Sequence, residues 1–152
     1  MFKKTAFHAL ILLLVLSCTR ASATSEDPKH RLSDYISKSF SIKATEDRQE
    51  LLGFLTGEAK IRLSNWSDDQ FRQAFIESKR EFLKLSIREI KPVAKNETNI
   101  TYEITYFQGK DKSMKITNRK LCQLVLENGK WLIHDVRNIK ELVEYQNEMS
   151  LP

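Results

Sequence analysis

An α+β domain, with N-terminal helices packed on an antiparallel sheet, is the fold class that this 152-residue sequence predicts. Three observations predict it. Apolar residues before about Lys79 recur at helical spacing, those after Arg80 recur at period two, and the last two apolar runs flank Asn128-Gly129. Asn-Gly between such runs is the strongest short-range hairpin signal, because both central residues of a type I′ turn need positive φ. Helices first, then strands joined by turns too short for parallel crossovers, give an antiparallel meander with helices against it.

The chain opens on an address rather than on the fold. Lys3-Lys4 form a positive region, and Ala9–Leu16 is an uninterrupted apolar run. That run is too short to span a bilayer, which takes roughly 20 apolar residues. Val15-Leu16-Ser17-Cys18 resembles the bacterial lipobox, in which a small residue precedes a cysteine that is lipidated and becomes the new N-terminus. Ala21-Ser22-Ala23 is a competing site for ordinary signal peptidase, and cleavage there would give a plainly secreted protein. The lipobox reading makes residues 1–17 a signal peptide, 18–28 a polar tether and 29–152 the folded domain. It places the protein in the bacterial cell envelope, lipid-anchored through Cys18 and facing the periplasm.

Charge and cysteine usage fit that placement. Loss of Lys3 and Lys4 lowers the formal charge from +5 to +3, and the remaining Lys and Arg are interleaved with Asp and Glu. Nucleic-acid binding needs a basic stripe or patch, so no nucleic-acid partner is expected. With Cys18 lipidated, Cys122 stands alone among Leu121, Leu124 and Leu126, the setting of a buried, inert thiol.

Leu32, Tyr35, Ile36 and Phe40 form one helical stripe from Pro28 to about Phe40. A second helical pattern starts near Thr45-Glu46-Asp47, whose carboxylates suit a helix N-terminus, and buries Leu51, Leu52 and Leu55. Gly53 and Gly57 weaken it, so a break near Thr56-Gly57 is expected, with resumption through Ala59, Ile61 and Leu63. Ser67-Asp68-Asp69-Gln70 is a capping box for a helix burying Phe71, Ala74 and Phe75, with Trp66 placed to staple onto Phe71.

After Arg80, Leu83, Leu85 and Ile87 alternate with Lys84, Ser86 and Arg88, a half-buried strand that Pro92 is expected to limit. Ile100, Tyr102, Ile104 and Tyr106 alternate most cleanly of all. A long strand from Ser113 to Leu126 feeds the Asn128-Gly129 hairpin, and Asn138–Tyr145 reads equally as strand or short helix.

The helices followed by a meander ending in Leu124-Val125-Leu126-Glu127-Asn128-Gly129-Lys130-Trp131-Leu132-Ile133-His134-Asp135-Val136 resemble the NTF2-like superfamily. The resemblance is to its small bacterial lipoproteins with a DUF4878-type domain, over roughly Pro28 to Val136. It implies a strongly curved sheet wrapped around a helix as an NTF2-like cone, and a homodimer through the outer sheet face. The superfamily spans isomerases, dehydratases and binding modules, so the fold does not choose a function.

The chemistry-bearing residues narrow the choice only slightly. Tyr102 and Tyr106 share one strand face and are pocket-lining candidates, although core packing is the commoner fate of such tyrosines. His134 is a third candidate, read as alternating with Leu132 and Val136 and as pointing away from Asp135. No catalytic residue is assigned. The histidines at positions 8, 30 and 134 have no metal-ligand spacing, and no cofactor motif occurs. The expected function is therefore a non-enzymatic binding module for a protein partner or a small apolar ligand. The alternative is acid–base chemistry of the isomerase or dehydratase type on a small hydrophobic substrate.

Overall fold

The computed structural model describes residues 27–109 and 111–146. The signal peptide, Cys18 and both cleavage sites lie outside the described residues.

Helix α1 (Pro28–Phe40) starts where the sequence places it. Asp27 caps it by accepting from the Lys29 amide at 3.1 Å, and Pro28 takes the first turn, where its missing donor costs nothing. Its apolar stripe buries Leu32 and Ile36. A 3₁₀ turn (Thr45–Asp47) leads into α2 (Arg48–Leu52), and the Asp47 carboxylate accepts from the Lys43 and Ala44 amides at 2.9 and 3.2 Å. The expected break follows. Phe54–Thr56 runs beside the last strand, with the Thr56 amide donating to the Ile133 carbonyl at 2.8 Å and the Ile133 amide to Phe54 at 2.9 Å. Helix α3 (Gly57–Ser64) then buries Ala59 and Leu63, but Ile61 is 53% exposed and belongs to no buried stripe.

Helix α4 (Asp68–Arg72) opens on the complete capping box: Ser67 Oγ accepts from the Gln70 amide at 3.1 Å, and Gln70 Oε1 from the Ser67 amide at 2.9 Å. It continues as a π-helical turn (Gln73–Glu77). That turn moves the expected staple, because the Trp66 ring meets Phe75 at 6.0 Å while Phe75 stacks on Phe71 at 4.8 Å.

Strands β1 (Glu81–Ala94), β2 (Glu97–Gln108), β3 (Met114–Glu127) and β4 (Lys130–Tyr145) pair antiparallel in chain order as one four-stranded sheet. The β3–β4 turn has φ 50° at Asn128 and 78° at Gly129, as a type I′ hairpin requires. Strand β1 runs past Pro92 because it is an edge strand, where a missing donor is tolerated; the register slips immediately after Pro92 pairs with Thr98. Another slip between Phe82 and Lys84 leaves Leu83 as the extra residue, 41% exposed rather than half-buried. The Asn138–Tyr145 segment is strand, extending β4 to pair with β3 as far as Met114–Tyr145.

The NTF2-like cone is corrected by this architecture. The sheet is an open meander with helices N-terminal to it. Among the described residues the outer edge of β4 takes only the short Leu55–Ile133 bridge. Leu32, Leu51 and Phe71 from the helices, with Ile100, Leu124 and Ile133 from the sheet, are fully buried between the two layers. Helix side chains fill the inner face, so what remains between helices and strands is a cleft rather than a hollow cone.

Candidate functional site

The β2 alternation puts Ile100, Tyr102, Ile104 and Tyr106 on the face that α1 covers. Register then places Cys122, Lys120, Asn118 and Ile116 of β3 opposite them in that order. Toward the Tyr106 end the helices fit the sheet less closely. A cleft of about 240 Å³ opens there between Tyr35, Ser39 and Phe40 of α1, Ala74 and Phe75 of the π turn, and Tyr102, Tyr106 and Lys120 of the sheet. Arg80, at the junction between the π turn and β1, closes one side, and Trp66 and Val136 complete the wall.

Aromatic packing shapes this wall. Phe40 touches Tyr106 at a centroid distance of 5.6 Å and Phe82 at 5.5 Å. The Arg80 guanidinium lies 4.9 Å from the Phe40 ring centre and 5.2 Å from that of Phe75, within cation–π range of both. Its Nη2 donates to the Ser39 carbonyl at 3.3 Å, while its Nε is buried with no hydrogen-bond partner. Asn118 Nδ2 donates to the Tyr106 hydroxyl at 3.2 Å, and Asn118 Oδ1 is buried and unpartnered.

Burial dominates the electrostatics. It pushes the Tyr35 hydroxyl up to about 12, the Tyr102 hydroxyl well above its ordinary value and Tyr106 in the same direction. These phenols are neutral hydrogen-bonding handles at physiological pH. The same desolvation lowers Arg80 and Lys120, and Arg80 lowers Lys120 further by charge repulsion. Among the described residues the cleft lining contains no carboxylate and no imidazole.

Tyr102 and Tyr106 both reach the cleft, and His134 does not. The reason is a bulge. In β4, Ile133 pairs with Leu124 and Asp135 with Gln123, which leaves His134 as an extra residue. Its imidazole packs against Gly57 at the start of α3, where a Cβ would lie 2.1 Å from Nδ1. Strict alternation puts Ile133 and Asp135 on one face, but the bulge separates them. Ile133 enters the core, and Asp135 joins Asn99 and Gln123 on the outer face. There its carboxylate accepts from Arg62 Nη2 at 2.6 Å and Arg137 Nε at 2.7 Å. Val136, rather than His134, is the residue of this stretch that lines the cleft.

Sequence reasoning missed Arg80, Lys120 and Asn118. Lys120 and Asn118 sit at the inward positions of β3, where a polar side chain interrupts an apolar face, and that irregularity was the available signal. Cys122 is fully buried between Ile100 and Val136, and burial, with the Asp135 charge, pushes its thiol up, as an unreactive thiol requires. Among the described residues no group of three His, Cys, Asp or Glu is placed to hold a metal ion, and no helix is long and apolar enough to cross a membrane.

No family model matches the chain, and no curated protein matches it. Among solved structures it is similar to a SEC-C motif containing protein from Rhodopseudomonas palustris. The two share 15% identity over 73% of this chain and 74% of that one, with a TM-score of 0.49.

Proposed function

We propose that this is a non-enzymatic lipoprotein of the bacterial cell envelope, anchored through Cys18, whose α+β domain binds a small apolar ligand in the Tyr102–Tyr106 cleft. Of the two kinds of partner that the sequence allows, a protein or a small ligand, the cleft favours the ligand. The observation that carries the reading is the wall itself: Tyr35, Phe40, Phe75, Tyr102, Ile104 and Tyr106 converge there, with Ser39, Arg80 and Lys120 placed among them. Ligand sites pair aromatic and apolar walls with placed polar groups, and both kinds of side chain meet here. The volume of about 240 Å³ lies below the usual range for drug-sized ligands, so the ligand is small. Support for a binding role over acid–base catalysis comes from the lining, which among the described residues holds neither carboxylate nor imidazole and whose phenols are kept from ionising by burial.

Two measurements test this reading. Calorimetric titration of the purified protein with octanol should show saturable binding with a negative heat-capacity change, the mark of apolar burial. Ala74→Phe, which fills the cleft, should abolish that binding without unfolding the domain. Titration that is linear in the wild type sinks the ligand reading. Mass spectrometry of the mature N-terminus should find diacylglycerol on Cys18. An unmodified N-terminus at Thr24 would make the protein plainly secreted.

A further inference from the structure

The cleft holds two cations that no carboxylate among the described residues pairs with. Arg80 and Lys120 both line it, one at the end of the helical half and one in the middle of β3, and both are half-buried. Among the described residues neither forms an ion pair, although the carboxylates of Asp135, Glu103, Asp68 and Asp69 all pair with arginines elsewhere. The acidic group that acts on Lys120 is Glu141 of β4, which is exposed and opposite Asn118 in register. Arg80 is faced by the hydroxyls of Tyr35 and Tyr106, which are neutral. The Arg80 side chain is pinned by Phe40 and Phe75 with its Nε left unpartnered. A buried donor without a partner is unfavourable, and an incoming acceptor relieves it.

Resting on the ligand-binding reading above, we infer that the cleft takes a small anionic amphiphile, its oxyanion head received by Arg80 and Lys120 and its apolar body lying along Phe40, Phe75 and Ile104. The guanidinium supplies donors in a planar fork that matches a carboxylate or a phosphate, and Lys120 supplies a point charge beside it. The tyrosine hydroxyls remain protonated and so donate to the same head. Both cations keep like charge in a partly dehydrated space, an arrangement that an anion relieves and a neutral ligand does not.

The test compares octanoate, octyl phosphate and octanol on the purified protein, with Arg80→Gln and Lys120→Met as variants. Lys120→Met keeps the apolar stem of the side chain and so its packing. One of the two anions should bind about tenfold or more tightly than octanol, the ratio expected of charge-assisted hydrogen bonds, and the tighter anion identifies the head. Each substitution should reduce the anion's affinity toward that of octanol measured on the same variant, so that the anion-to-octanol ratio falls toward one. Equal affinity of all three ligands for the wild type overturns the inference and leaves the apolar-ligand reading standing. Saturable binding of none of them overturns both. Loss of octanol binding together with anion binding in Lys120→Met, with the thermal midpoint unchanged, also overturns the assignment, because Lys120 would then shape the cleft rather than read charge.

Discussion

Gly57 and His134 show how a single backbone requirement decides the fate of a chemically suggestive side chain. Gly57 begins α3 at φ 50°, a left-handed conformation that side chains disfavour, and the His134 ring occupies the space where its Cβ would stand. A histidine near the end of a sheet invites a catalytic reading; here it closes the gap over a glycine. Gly57→Ala should destabilise the fold by about 2 kcal/mol from the positive φ alone, with the displaced imidazole adding to the loss. Chemical denaturation of the variant checks this, and Gly57→Ala combined with His134→Ala should recover the steric part only. Octanol affinity should change little in either, because neither residue lines the cleft. Wild-type stability in Gly57→Ala would mean that the start of α3 is placed otherwise.

At the scale of elements, the capped helices and the sheet differ in how legible they are. The Ser67–Gln70 capping box is written in adjacent residues and forms as written, with both reciprocal bonds present. Ser67→Ala should cost about 1 kcal/mol, since the cap then leaves an amide of the first turn unsatisfied. The same substitution should weaken ligand binding, because α4 leads directly into Ala74 and Phe75 of the cleft wall. A binding constant unaffected by Ser67→Ala would separate the π turn from its helix. Strands behave differently. Period two reads correctly along β2, where no register slip occurs opposite β3. It fails in β1 at Leu83 and in β4 at His134, where a bulge inserts one residue and reverses the faces after it.

For the molecule as a whole, the outer sheet face supplies an electrostatic term with a definite sign. Glu103 lies between Arg88 and Arg119, accepting from Arg119 Nη2 at 2.7 Å, and these bonds hold its carboxyl below the ordinary range. Burial pulls Asp135 upward, but hydrogen bonds from Arg62 and Arg137 outweigh it and leave the carboxyl lowered. A carboxylate whose folded pKa is depressed contributes stability above its unfolded value of roughly 4, and that contribution is lost as pH falls through the lower folded value. Stability should therefore decline below about pH 4. Asp135→Asn should flatten part of that decline and cost about 1 kcal/mol at neutral pH, kept small because both arginine partners are at least half exposed. Urea unfolding across that pH range measures both effects, and an acid limb unchanged in Asp135→Asn would remove Asp135 from it.

What the sequence determined by itself was local: the start of α1 at Pro28, the capping box, the break before Gly57, the clean face of β2 and the Asn128-Gly129 turn. Each depends on residues within a few positions of one another, so a short window contains its cause. The open meander in place of a cone, the bulge at His134 and the pairing of Arg80 with Lys120 in one cleft were decided only in three dimensions. Arg80 ends the helical half, and Lys120 faces inward only because β3 pairs with β2 in the register that sets Lys120 opposite Tyr102. That register runs without a slip from one end of the β2–β3 pair to the other and is set where the two strands join, which the apolar pattern of either strand alone does not encode.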